Sequence, residues 1–113
     1  MYFLLTMMVL LVSHNCNGIR NIDKFKKYVS IMSEKNVDFM LFQETFWDDQ
    51  LVQNVKHLYN GDIYHSDGTN NRQGVAILVK SNLCANVKQI YKDNNGRFLH
   101  LQFEYDDSIY NIM

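Results

Sequence analysis

Two apolar runs in this 113-residue chain each end in a small polar cluster, Ser13-His14-Asn15-Cys16-Asn17 and Gln43-Glu44-Thr45. If the runs are neighbouring strands of one sheet, Asn15, Asn17 and Glu44 meet at one rim. That rim is the carboxyl end, where open α/β sheets place their ligands. One carboxylate with amide oxygens beside it is a hard-oxygen donor set, suited to Mg²⁺ or Mn²⁺ rather than zinc. A lone Glu44 suffices, because Mg²⁺ takes only one or two protein carboxylates and completes its shell with water and substrate phosphate. The alternative is structural: Glu44 caps a helix around Trp47, and Asn15 and Asn17 merely turn the chain. Spacing leaves both open.

Other side chains divide in the same way. Asp48 and Asp49 could hold a second ion, but read more simply as acidic residues in the first turn of a helix. Arg20, Lys24, Lys26, Lys27 and Lys35 could contact phosphates, yet fit the solvated face of an amphipathic helix. Arg72 stands in the polar stretch Asp67-Gly68-Thr69-Asn70-Asn71-Arg72 and is the better candidate for substrate contact, since loops at such a rim carry recognition. His14, His57, His65 and His100 read as structural or surface residues. Trp47 reads as core.

The elements that must position these groups follow from periodicity. Met7 to Val12 is a continuous apolar run of the kind that forms a strand covered on both faces. Ile22, Phe25, Tyr28, Val29 and Met32 recur at helical spacing. Val37 to Phe42 and Val75 to Val79 are two further buried strands, with a short helix near Trp47 to Leu58 and a brief strand at Asp62 to His65. Ala85 to Lys92 and Arg97 to Tyr105 pair as a hairpin about Asp93-Asn94-Asn95-Gly96, which carries an Asn-Gly turn signal. Ile109 to Met113 begins one more strand. A β–α–β opening followed by strand-rich hairpins makes an α/β sandwich.

Composition agrees with a folded domain: 47% hydrophobic, 13% aromatic and 20% charged, with a net charge of −1. These values exclude a disordered tail, a collagen-like chain and a strongly basic nucleic-acid-coating protein. The chain has no proline and 13 asparagines, a bias of composition rather than a fold signal. Cys16 and Cys84 form no metal-ligand spacing and no disulfide scaffold, so a reducing, intracellular compartment is the default. The first twelve residues are too few to span a bilayer, which takes about 20 apolar residues, so no membrane partner is expected. They also lack a basic start and a small-residue cleavage site. A strand is the preferred reading, and a leader over residues 1–6 is its alternative.

Three motifs in register, Asn15-Cys16-Asn17-Gly18-Ile19-Arg20, Gln43-Glu44-Thr45 and Gln73-Gly74-Val75-Ala76-Ile77-Leu78-Val79, resemble the endonuclease/exonuclease/phosphatase superfamily. Within it the chain is most similar to the endonuclease domain of non-LTR (LINE-type) retrotransposons. The likeness runs from about Val12 to the last residue, and Gly96-Arg97 falls where that family begins its next strand. The resemblance implies a DNase I-like fold, a four-layer α/β sandwich with mixed sheets, of which this chain carries the N-terminal half. It implies Glu44 as the glutamate holding Mg²⁺ (or Mn²⁺), Asn17 beside the metal and Asn15 orienting the centre. Tyr64 falls near a position that contacts nucleic-acid backbone. DNA is the implied partner and metal-assisted phosphodiester hydrolysis the implied reaction.

The family also has a Tyr-x-Pro-Asn strand end, an Asp-x-Asn pair and a Ser-Asp-His motif, none of which occurs here. The expectation is therefore a partial domain over residues 1–113, of a fold roughly twice this length, with little or no activity as it stands. Two rival readings remain. One is a phosphatase or phosphodiesterase of the same superfamily for lipids or small molecules. The other is a non-catalytic domain that only makes interactions.

Overall fold

The computed structural model describes residues 9–81 and 86–113. Its elements are β1 (Leu11–Asn15), α1 (Ile22–Glu34), β2 (Phe39–Gln43), α2 (Asp49–Val55) continued by a 3-10 turn (Lys56–Leu58), β3 (Gly61–Ser66), β4 (Val75–Lys80), β5 (Lys88–Lys92), β6 (Leu99–Tyr105) and β7 (Ser108–Ile112). The strands form two sheets. One has four strands in the order β1-β2-β4-β3, and the other three in the order β5-β6-β7. The first is mixed: β1 and β2 run parallel, joined by α1, while β4 is antiparallel to both β2 and β3. This is the two-sheet α/β sandwich of the DNase I-like fold.

The alternation of side chains along β2 and β4 explains why both read as unbroken apolar runs. Met40, Phe42, Ala76 and Leu78 face a core shared with Phe25 and Met32 of α1 and Val52 and Val55 of α2. Phe39, Ile77 and Val79 face a second core, built with Leu99, Leu101, Phe103 and Ile112 of the other sheet. Each strand is thus covered by helices on one face and by the second sheet on the other. A strand buried on both faces needs apolar residues at every position. The described residues therefore stack in three layers: helices, mixed sheet, antiparallel sheet.

Helix ends follow local chemistry. Asn21 caps α1 by accepting hydrogen bonds from the Asp23 and Lys24 amides at 2.8 and 3.1 Å, and Asn36 ends the helix in a left-handed conformation (φ 53°). Asp48 caps α2, its carboxylate accepting from the Leu51 amide at 2.8 Å. Such a side chain satisfies amides that the first turn leaves without partners.

Two expectations are corrected. The first strand lies at Leu11–Asn15, later than Met7 to Val12; Ser13, His14 and Asn15 belong to it, and residues 1–8 lie outside the described residues. Nor is it covered on both faces. Among the described residues it pairs with β2 alone, and Leu11 is 44% exposed. The connection between β5 and β6 falls where the hairpin was expected but is longer than Asp93 to Gly96. It spans residues 93–98 and follows an irregularity in register between Gln89 and Tyr91. Its shape is set by Asp93, whose carboxylate accepts from the Arg97 and Phe98 amides at 3.2 Å each. Of the two cysteines, Cys16 is a free, buried thiol, and Cys84 lies outside the described residues. Among the described residues, no helix is long and apolar enough to cross a membrane.

Candidate functional site

Parallel pairing of β1 with β2 sets Asn15 opposite Gln43, so the two polar clusters do share one rim. The pairing continues past the strand ends: the Cys16, Gly18 and Ile19 amides donate to the carbonyls of Gln43, Glu44 and Thr45 at 3.0, 2.6 and 3.0 Å. Asn15 turns the chain, its side-chain oxygen accepting from the Asn17 amide at 3.1 Å. Asn17 takes a left-handed backbone (φ 48°), which asparagine tolerates better than most residues. Lys24 then clasps the turn from α1, donating to the Cys16 and Gly18 carbonyls at 2.7 Å each. This ladder places the backbones of Asn15, Asn17 and Glu44 at one rim; Glu44 lines a cleft there and neither asparagine does.

Glu44 does not cap α2; Asp48 holds that position. The Glu44 side chain is exposed and makes no hydrogen bond or ion pair among the described residues. Its backbone is also unusual. Glu44 and Phe46 both lie at positive φ, 56° and 59°, on either side of the fully buried Thr45. Non-glycine residues in this region cost of the order of 1–3 kcal/mol each and concentrate at functional sites. Thr45 is pinned between them, its amide donating to the Gly74 carbonyl at 3.2 Å while Phe46 donates to Gln73 at 2.8 Å. The strain thus turns the Glu44 carboxylate outward into a cleft of about 710 Å³.

Most of the remaining lining of the cleft comes from the loop between β3 and β4. Asn70, Asn71, Arg72 and Gln73 line it, together with Arg97 from the β5–β6 connection. Arg72, singled out by loop position, faces the same cleft as Glu44. Arg97 comes from the other sheet and is the residue that reading along the chain missed. It is brought in by backbone contact: the Gly74 amide donates to the Gly96 carbonyl at 3.0 Å. Both glycines have positive φ, 101° and 72°, and a Cβ on Gly96 would stand 2.4 Å from the Gly68 amide nitrogen. Only glycine allows the two connections to touch there. Ser66, buried beneath them, donates to Asp93 at 2.7 Å and accepts from the Gly96 amide at 3.2 Å. That Ser66 bond, then the Phe98 and Arg97 amides, hold the Asp93 carboxyl below the usual carboxylate range.

Arg20 closes the near side. One of its guanidinium nitrogens donates to the Phe46 carbonyl (2.9 Å), Asp48 (3.2 Å) and Asn71 (3.1 Å). Both partners of the Arg20–Asp48 pair are exposed, so its worth is geometric rather than energetic. The Leu51 amide, and then Arg20, hold the Asp48 carboxyl below its ordinary range. Cys16 sits beneath the rim, donating to the carbonyls of Gln43 and Glu44 at 3.1 and 3.4 Å. Burial pushes its thiol up, so it is a packing group and no nucleophile. Tyr64 is on β3, half-buried against the inter-sheet core, and does not line the cleft with Glu44. Burial, and then Asp62, raise its phenol above its ordinary value.

A second group of donors lies at the same end of the sheet. Asp49, His65 and Asp67 each offer one ligand atom within 4.8 Å of the others. His65 Nδ1 and Asp67 Oδ1 are 2.8 Å apart. Reading His65 by type alone, as a structural residue, gave no hint of this grouping, because Asp49 reaches it from α2 only through the fold.

Comparison with known proteins agrees with the fold and the order of these elements. The chain superposes on the crystal structure of truncated Caenorhabditis elegans TDP2 with a TM-score of 0.56 and 18% identity, covering 91% of this chain and 43% of that one. An endonuclease/exonuclease/phosphatase family protein from Leptotrichia buccalis C-1013-b gives 0.49 and 14%, covering 91% and 50%. The chain thus spans half or less of the length of these solved structures. No curated protein matches its sequence. The profile of the Endonuclease/Exonuclease/phosphatase family, however, matches residues 12–112, nearly all of the chain and every element of the rim and cleft. The chain belongs to the endonuclease/exonuclease/phosphatase family.

Proposed function

We propose that this chain is the N-terminal part of a divalent-metal-dependent phosphodiester hydrolase acting on DNA, of the retrotransposon-endonuclease kind. The observation that carries the reading is the pairing of one free carboxylate, Glu44, with two arginines, Arg72 and Arg97, in a single cleft. A carboxylate without a counter-ion offers a place for a cation, and two guanidiniums in the same cleft offer a place for phosphate oxygens.

Glu44 would hold Mg²⁺ (or Mn²⁺), with Asn17 beside it; an exposed carboxylate and a side-chain amide are suitable hard-oxygen donors. When bound, the ion supplies neutralisation of charge on a scissile phosphate and its leaving oxygen. The chain's own residues do the rest of the positioning. Asn15 fixes the turn that carries Asn17, and Arg20 ties the Phe46 carbonyl to the loop bearing Asn71. Arg72 and Arg97 would grip the phosphate backbone, which carries no base information. A role for Tyr64 in substrate contact rests on resemblance alone. The preference for DNA over lipid or small-molecule phosphoesters rests on the Asn-x-Asn-Gly turn and the Val75 to Val79 strand.

The test is fluorescence anisotropy of a labelled DNA duplex with the full chain, alongside plasmid nicking in Mg²⁺, in chelator, and with Glu44→Gln. Arg72→Ala and Arg97→Ala are each expected to weaken binding and to lower the slope of log affinity against log salt by about 1. Any nicking should require the divalent ion and vanish in Glu44→Gln. Nicking that survives Glu44→Gln would remove Glu44 from the metal site. DNA binding indifferent to both arginines would remove DNA from the cleft.

A further inference from the structure

We infer that Asp49, His65 and Asp67 form a second metal site, distinct from Glu44, which takes a zinc-class divalent ion and clamps the cleft loop to α2. Glu44 is not a member of this donor group, and none of the three lines the Glu44 cleft. The donor set differs in kind as well as in place. An imidazole with two carboxylates suits Zn²⁺ and its neighbours among the transition metals, whereas Mg²⁺ prefers oxygen alone.

The arrangement meets the demands of such a site. A tetrahedral ion with ligands at about 2.0–2.2 Å holds its donor atoms roughly 3.5 Å apart. His65 and Asp67, hydrogen-bonded to each other at 2.8 Å, need to part by only a fraction of an ångström to reach that spacing, and both side chains are 17% exposed, so their positions are held by packing. The His65 ring is steadied from one side by Trp47, with ring centroids 6.4 Å apart at 73°. Asp49 is exposed in the first turn of α2, and a side-chain rotation brings its carboxylate the remaining distance. Asp49 has no hydrogen bond or ion pair of its own among the described residues. No lysine or arginine pairs with either carboxylate there; Lys92, the cation nearby, donates instead to the His65 carbonyl at 3.3 Å. Two carboxylates this close to one imidazole leave negative charge that a protonated His65 or a bound metal cation would balance. Three protein ligands leave a fourth position for water.

Placement gives the site its consequence. Asp67 opens the loop whose later residues, Asn70 to Gln73, line the Glu44 cleft. Asp49 begins α2, and His65 is on β3. An ion shared by the three would tie a helix, a strand and the cleft loop at one point.

Trp47 is the sole tryptophan and borders the His65 ring, so the protein carries its own reporter. The experiment is titration of the metal-free full chain with Co²⁺, followed by Trp47 fluorescence and visible absorption, with Zn²⁺ as competitor and Mg²⁺ as control. One equivalent of Co²⁺ should quench Trp47 and be displaced by Zn²⁺ but not by Mg²⁺. Asp49→Asn should weaken binding at least about tenfold without altering the melting temperature of the metal-free chain, because Asp49 is exposed and unpaired. His65→Gln should abolish binding, and Glu44→Gln should leave it intact. The proposal falls if Co²⁺ produces no quenching, if Asp49→Asn binds as tightly as the parent, or if Glu44→Gln removes the binding.

Discussion

Tyr59 shows how much the fold tolerates at a single residue. It is 8% exposed, and its hydroxyl is buried with no hydrogen-bond partner among the described residues. Burial, and then Asp62 and Asp38, push its phenol far above the ordinary value, so it stays neutral. A buried polar atom without a partner loses its hydration and gains nothing in return. Tyr59→Phe is therefore expected to raise stability by up to about 1 kcal/mol, measured as a shift in the urea midpoint with the slope unchanged. Trp47 is the contrast: fully buried, it satisfies its indole by donating to the Ile19 carbonyl at 3.0 Å. Glu44 and Arg72 were legible as functional candidates because strand ends and loops at a sheet rim advertise themselves by polarity alone. Arg97 and the Asp49, His65 and Asp67 group were not, because Arg97 and Asp49 meet their neighbours only through the fold.

At the scale of elements, the connection from β5 to β6 is governed by one carboxylate. Asp93 accepts from Ser66 and from two backbone amides, and its pKa is depressed in the folded chain. A depressed carboxylate stabilises the fold above its unfolded pKa and loses that contribution as pH falls through the folded value. Thermal melts taken from neutral to acidic pH should thus show a fall in stability that is shallower in Asp93→Asn, which keeps an acceptor oxygen but cannot titrate. This connection also shows where periodicity stops helping. The Asn-Gly pair located the turn, but its length followed from the Asp93 side chain, which no local pattern encodes. The helix at Ile22–Glu34 and the strands at Phe39–Gln43 and Val75–Lys80 were legible because burial on one face or two writes itself into residue type. β1 was placed too early because the apolar run ends before the ladder does: polar Ser13 and His14 pair with Leu41 and Phe42 of β2.

For the whole molecule, the junction between the two sheets matters most. Phe39 of β2 is fully buried, and its ring lies 4.6 Å from that of Phe103 on β6. Phe39→Ala would leave a cavity between the layers and is expected to cost about 3–5 kcal/mol, seen as a lowered denaturation midpoint. An α/β sandwich was foreseeable from the order of elements; how the second sheet sits on the first was not, since cross-layer packing leaves no periodic mark. One consequence follows from the Gly74–Gly96 contact. Because the two arginines of the cleft hang from different sheets, their separation behaves like the gap of a caliper whose arms are the sheets themselves. A small slide of one layer over the other, caused by repacking far from the rim, changes that gap directly. If the two guanidiniums hold phosphate as proposed, that grip would gauge how well the molecule's interior is assembled.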